Sequence, residues 1–339
     1  MGFCANAAED FVHNKVIGTE YPGKYKHPAA ITQLDNGDLY ITYYGGDGEY
    51  EDNSAVMGMR LKPGETKWSE PVKIADTPFQ GEGNGVVWQA PDGLVWLFYV
   101  QRYGDTWSSA RIFAKISEDG AHTWSDSMVL SFEMGTMLRG LPIVLNNGEY
   151  LLPVYYETGH DREVIAPESA SYFLRHDPKT RKWTPTERIY SDMGNIQPEP
   201  VQIDDNYLIA YCRVGGDYEP STTRYLIRAE SRDGGNTWSR GVNSPFKNPN
   251  AAVSFIKLKN GHLLLVFNDS MIDRIPLNAA ISTDNDKTWS KIVTIGEGEE
   301  TYAYPMAIQT QDEKIHVVYT SDNRSRIMHC VFEESALLK

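Results

Sequence analysis

Six polar side chains stand where buried strands should open. His27, Asn84, Arg139, Gln197, Asn250 and Tyr304 each lie ten residues, give or take one, ahead of a turn that introduces an apolar run. A second set closes those runs: Asp47 and Glu49, Arg102, Glu157, Arg213, Asn268 with Asp269, and Asp322. Brought together, these residue types could do chemistry. An arginine fork donates two parallel charge-assisted bonds to a carboxylate. Histidine titrates near neutrality and can give or take a proton. A phenol, with a pKa of about 10, needs an activating partner before it can react. Asp47 or Glu49, paired with Glu157, could serve as acid and base of a hydrolysis, their separation deciding the stereochemistry. Buried charges are costly unless paired, so two rings of them argue for a site; a solvated ion-pair rim is the plainer alternative.

The elements that must position these residues repeat along the chain. Ser231-Arg232-Asp233-Gly234-Gly235-Asn236-Thr237-Trp238 is a turn whose Asp and Ser can bond the backbone, followed by an aromatic peg. Copies run from Ser117 to Trp124 and from Ser282 to Trp289, with worn copies ending at Trp68 and Trp183. The five tryptophans are 56, 59, 55 and 51 residues apart, a period that means an array or a propeller. Hairpin signals such as Asn36-Gly37, Asp92-Gly93, Asn147-Gly148 and Asn260-Gly261 open the apolar runs. Two weaker ones, Asp205-Asn206 and Glu313-Lys314, bring the total to six. The expectation is an all-β, six-bladed β-propeller with four antiparallel strands per blade, one domain over residues 1–339. Blade six would be closed by pairing between a segment near Val16-Ile17 and the run Ile327 to Phe332; an overlooked blade signal would make seven. Asp119, Asp233 and Asp284 fall on turns of different blades and read as turn chemistry.

The bulk numbers exclude several classes. The chain has 339 residues and a net charge of −14, which argues against a nucleic-acid surface. Cys4, Cys212 and Cys330 are too scattered for a disulfide framework or zinc site, and the histidines form no HExxH motif. No metal and no cofactor is expected, although the acidic stretch Asp47 to Asp52 could hold Ca²⁺. No apolar run approaches a membrane span, and Met1 to Asp10 lacks signal-peptide features. That fits a cytoplasmic chain or a mature secreted or periplasmic form. Met1-Gly2 lacks the hydroxyl residue at position 6 that myristoylation needs.

From His27 to Phe332 the chain resembles the sialidase superfamily, whose repeats are called Asp boxes or BNR repeats. The resemblance implies a six-bladed propeller and an exo-acting site for a terminal acidic sugar. Three arginines there clamp the sugar carboxylate, a Tyr–Glu pair supplies the nucleophile and an aspartate is acid and base. Ala303-Tyr304-Pro305 matches the tyrosine stretch. Arg213 matches the second arginine, and the glutamate that should lie sixteen residues earlier is Gln197. Glu199, two residues along the same strand, would face the same way and could substitute. Arg274 fits the third arginine. His27 stands where the first is expected, and Asp47 or Glu49 is the counterpart of the aspartate. Arg102 and Arg139, on neighbouring blades, could add to the clamp, and Glu157 and Asn84 are further substrate-binding candidates. The implied partner is an acidic oligosaccharide or glycoconjugate. Two other readings stay open. A His27–Tyr304 pair could act in a uronate lyase, or in a rhamnosidase-like hydrolase, on the same scaffold. A non-catalytic glycan-binding propeller is the last.

Overall fold

The computed structural model describes residues 10–162, 164–217 and 219–339, so Cys4 and the residues behind the N-terminal processing readings, all but Asp10, lie outside it. The Asp-bearing turns fold as their side chains dictate. Asp233 accepts the backbone N–H of Asn236 at 3.1 Å and of Thr237 at 3.0 Å, and the hydroxyls of Ser231 at 2.8 Å and Thr237 at 2.7 Å. Asp119 and Asp284 receive their own Ser and Thr donors in the same way. The Thr288 hydroxyl leads the donors that hold Asp284 down at about 2. All three carboxylates are engaged by turn donors.

The strands between these turns form six antiparallel sheets among the described residues. After β1 (Val12–Ile17), sheet one takes β2 (Tyr25–Gln33), β3 (Leu39–Gly46), β4 (Ala55–Leu61) and β5 (Val72–Ala75). Sheet two takes β6 (Gly81–Gln89), β7 (Val95–Arg102), β8 (Arg111–Ser117) and β9 (Met128–Val129). Sheet three divides its inner strand into β10 (Thr136–Leu138) and β11 (Ile143–Val144), followed by β12 (Tyr150–Tyr156), β13 (Ala170–Asp177) and β14 (Lys182–Pro185). Sheet four holds β15 (Asn195–Gln202), β16 (Leu208–Val214), β17 (Tyr225–Ser231) and β18 (Val242–Lys247). Sheet five holds β19 (Ser254–Lys257), β20 (Leu263–Phe267), β21 (Leu277–Ser282) and β22 (Val293–Gly296). Sheet six holds β23 (Ala303–Gln309), β24 (Ile315–Ser321) and β25 (Arg326–Phe332), and β1 completes it. Val12 pairs with Val331 and Ile17 with Ile327, so the ring is closed as the sequence led one to expect. Among the described residues no helix is long and apolar enough to cross a membrane.

The core lies between adjacent sheets. Tyr40 and Val56 of sheet one pack with Leu97 and Phe113 of sheet two. Leu151 and Phe173 meet Leu208 and Trp238, and Tyr211 and Phe246 meet Phe255 and Phe267. Each blade therefore buries both faces, and none is stable on its own account.

The inner strands are irregular near their starts. The register of β2, β6, β15 and β23 slips between His27 and Ala30, Gly83 and Val86, Ile196 and Glu199, and Ala303 and Met306. Each slip inserts one extra residue, a β-bulge, which re-aims the side chain there. Asn84, Gln197, Asn250 and Tyr304 have φ of 45°, 55°, 57° and 54°. Non-glycine residues reach this left-handed region only at a cost, and such outliers cluster at functional sites. Pro28, Pro198 and Pro305 directly follow three of the ring residues, where a missing N–H suits an interrupted ladder.

Closure by β1 generates a stability prediction. Ile17 is fully buried at the junction. Replacing it with Ala should cost about 2–4 kcal/mol, read as a lower urea midpoint with little change in slope.

Candidate active site

The bulges converge on one narrow cleft at the mouth of the axis. Its wall includes His27, Glu49, Asn84, Glu157, Gln197, Arg213 and Tyr304, drawn from five of the six blades and the loop after β3. Tyr44, Tyr155 and Trp107 also line it.

Tyr304 sits at the centre of this arrangement. Its phenol oxygen accepts a 2.6 Å hydrogen bond from Nη1 of Arg213. The guanidinium carbons of Arg274, Arg139 and Arg213 lie 5.2, 5.4 and 5.6 Å from its ring centroid. Burial pushes the phenol's pKa up, but Arg213 and Arg274 more than reverse this, and the net direction is down. Arg213 is itself fixed, donating from Nε to Asn250 Oδ1 at 2.7 Å and from Nη1 to Gln197 Oε1 at 3.3 Å. Arg274 donates to the Asn250 carbonyl at 3.3 Å. Asn250, left-handed and buried, thus holds two arginines at once.

His27 packs edge-on to Tyr304, with ring centroids 4.2 Å apart. Burial, reinforced by Arg324, Arg274, Arg139 and Arg213, depresses its pKa well below the usual value, so the ring is neutral. Its Nδ1 lies 2.6 Å from the Thr320 hydroxyl, which donates its own proton to the Ala303 carbonyl at 3.1 Å. The hydroxyl therefore accepts from Nδ1–H, and the Nε2 lone pair is left available.

The two carboxyls of the cleft have different surroundings. Glu49 is ion-paired with Arg324 and accepts from the Tyr25 hydroxyl at 2.9 Å and from Trp107 Nε1 at 3.3 Å. Glu157 makes no side-chain hydrogen bond among the described residues. Burial raises it to about 7, against the opposing pull of Arg213, with Glu49 adding to the rise. One carboxyl is thus tied to a cation while the other holds its proton near neutrality, the pattern that separates acid from base roles.

The remaining candidates lie elsewhere. Asp47 closes its own loop, accepting from Asn53 Nδ2 at 2.7 Å, and does not line the cleft. Arg102 donates from Nη2 to the Tyr50 carbonyl at 2.7 Å and to Asp52 at 3.1 Å. It braces the loop carrying Glu49 from outside. The carboxylates of Asp47, Glu49 and Asp52 are all engaged by Asn53 or arginines, and no three His, Cys, Asp or Glu side chains converge as a metal set among the described residues. Arg139 and Glu199 lie beneath the floor, joined to each other at 3.2 Å. Glu199 does not face the same way as Gln197. The bulge between Ile196 and Glu199 breaks the alternation on which that expectation rested.

Arg324 lies two residues beyond Asp322, the last polar residue expected from the sequence at the mouth. Asp322, Asn323 and Arg324 all have positive φ, and this tight turn swings Arg324 over the cleft edge to Glu49. Arg162 lines the cleft from the long loop after β12, where no repeat signal exists.

A family model described as "BNR repeat-like domain" matches residues 37–317. Among solved structures, the Hadza microbial sialidase Hz136 aligns with a TM-score of 0.75 and 14% identity, covering 93% of this chain and 66% of its own. The chain thus spans just under two thirds of that relative. A protein of unknown function from Dyadobacter fermentans gives 0.73 and 16%, covering 95% and 99%. The intramolecular trans-sialidase from Ruminococcus gnavus, in complex with oseltamivir carboxylate, gives 0.75 and 13%, covering 93% and 96%. At such identities these likenesses show the fold. No curated protein matches the sequence.

The role given to Arg102 can be checked without a substrate. Arg102→Ala should speed limited proteolysis within residues 47–53 severalfold, since two anchors of that loop are lost.

Proposed function

The chain belongs to the BNR repeat-like domain family, and we propose that it is an exo-acting glycoside hydrolase of sialidase type that removes a terminal acidic sugar from a glycan. The observation that carries this reading is the Tyr304 phenol held at 2.6 Å by Arg213 on the cleft wall. Arg213, on the cleft wall, binds the sugar carboxylate through its planar fork, and Arg274, beside the Tyr304 ring but outside that wall, adds positive charge behind it. Where the anomeric carbon bears a carboxylate, an anionic Asp or Glu nucleophile would be repelled; a tyrosine avoids that until it reacts. With Gln197 unable to take a proton, the arginines around Tyr304 favour its phenolate electrostatically. The phenolate oxygen bonds to the anomeric carbon as the glycosidic C–O bond breaks, and Glu157 gives its proton to the leaving oxygen. Glu157 then takes a proton from the water that releases the sugar. Glu49, tied to Arg324, shapes the charge of the cleft rather than donating.

One feature supports a second reading. His27, neutral with Nε2 available, occupies the place of the first arginine. Such a base, with Tyr304, suits removal of the proton α to a uronate carboxylate, after which the β C–O bond breaks and the leaving oxygen takes a proton. A rhamnosidase-like hydrolase would use the same pair, and a propeller that only binds glycans would turn over nothing.

A panel of fluorogenic sialosides and uronides, run beside acidic polysaccharides monitored for unsaturated uronate, separates these readings. Fluorophore release without unsaturation is expected. Tyr304→Phe should lower kcat by about 10²-fold or more while leaving binding within a few-fold. Full activity in that variant would exclude the nucleophile assignment. Because Glu157 must hold its proton to act as acid, kcat/KM should fall as pH rises through about 7. Glu157→Gln should remove that limb of the profile along with roughly 10²–10³-fold of rate.

A further inference from the structure

Arg139 is, among the described residues, the largest fully buried side chain, and it does not line the cleft. It lies on the axis in the gap between β10 and β11 and reaches three other blades. Nη1 donates to the Val253 carbonyl of blade five at 3.1 Å and to Glu199 of blade four at 3.2 Å. Nη2 donates to the Pro305 carbonyl of blade six at 2.6 Å. Pro305 directly follows Tyr304, whose ring lies above the same guanidinium. A Cβ at Gly140, the next residue, would lie 3.1 Å from both Glu199 oxygens, so the pair is tightly enclosed.

We propose that Arg139, held in place by Glu199, is a positioning residue that locks the strained Tyr304–Pro305 bulge from beneath and adds to the acidity that Arg213 and Arg274 give the Tyr304 phenol. The guanidinium places a fixed positive charge under the ring, and Glu199 competes for that charge. The other charged groups facing Tyr304 are Arg213, Arg274, Arg324 and Glu49, with neutral His27 at its edge and the buried Tyr155 phenol, raised well above its usual range by burial, also near. Glu199 faces Arg139 as its charged partner, with the buried Cys212 thiol also within reach of its charge; Lys257 and Lys259, on the rim of the cavity below, are turned to carbonyls of Gln202 and Thr310 at 3.0 and 2.9 Å.

That lower cavity gives Glu199 its own route to water. It opens at the reverse end of the axis, walled by Leu141, Val201, Phe255, Met306 and Ile308, with Glu199 in its lining. Burial raises the Glu199 carboxyl to about 8, with Arg139 opposing the rise. Its ionisation above that point, from the face opposite the cleft, withdraws part of the charge acting on Tyr304.

The consequence for catalysis rests on Tyr304 being the reacting group, but the test does not. Ultraviolet phenolate titration of the full chain, minus the same titration of Tyr304→Phe, isolates one phenol without any substrate. Glu199→Gln, nearly isosteric, should lower the Tyr304 midpoint by ~0.5 pH unit or more, roughly threefold in acidity. Arg139→Lys, which cannot span both carbonyls and Glu199, should raise it. An unchanged or raised midpoint in a Glu199→Gln protein of normal melting temperature overturns the proposal, even if Arg139→Lys fails to fold. Absence of glycosidase activity would bear on the proposed function and leave this readout intact.

Discussion

The hydrogen bond from Arg213 to the Tyr304 phenol is the interaction that the rest of this molecule must sustain. A guanidinium removed from water at the wall of a largely enclosed cleft is unfavourable unless its donors are met and its geometry is held. Here Nε and Nη1 are met by Asn250, Gln197 and Tyr304, from three different blades. No one blade could hold such a set. Radial packing of six sheets, closed by β1 on β25, supplies the rigidity that keeps these partners in register.

The means of delivery is a repeated defect. Regular inner strands would alternate their side chains between neighbouring blades and send none toward the mouth. One inserted residue in β2, β6, β15 and β23 turns His27, Asn84, Gln197 and Tyr304 toward the cleft instead. Left-handed φ at three of these bulge residues shows that local backbone cost is borne to obtain that aim. The same defect removes Glu199 from the cleft and hands it to Arg139, so a single bulge separates an upper polar site from a lower buried pair.

Charge is divided with similar economy. A cluster of arginines would by itself hold every nearby acid ionised. Glu49 is met by Arg324 at the rim, whereas Glu157 is desolvated, makes no side-chain hydrogen bond among the described residues and keeps its proton near neutrality. Gln197, where the sialidase resemblance calls for glutamate, removes an anion from beside Tyr304 and leaves the arginines to act on the phenol. The cleft therefore differs from the implied pattern by redistribution of charge rather than loss of it.

Much of the architecture was legible from residue order alone. Turn chemistry is local, so Asp233 with Ser231 and Thr237, and the hairpins before each apolar run, announced the blades and their number. The ring of polar residues ahead of those turns was equally readable, because a constant blade length carries His27 and Tyr304 to the same height. What the chain order could not reveal was direction and partnership. Glu199 and Gln197 look equivalent by alternation, and only the bulge, decided by packing across blades, sends them to opposite sides of the floor. Arg324 reaches Glu49 because a turn of left-handed residues folds back at the mouth, and Arg102 braces a loop rather than lining a cleft. Sequence spacing determined which residues approach the axis; tertiary packing decided which way each one points and which charge it meets, since both depend on neighbours distant along the chain.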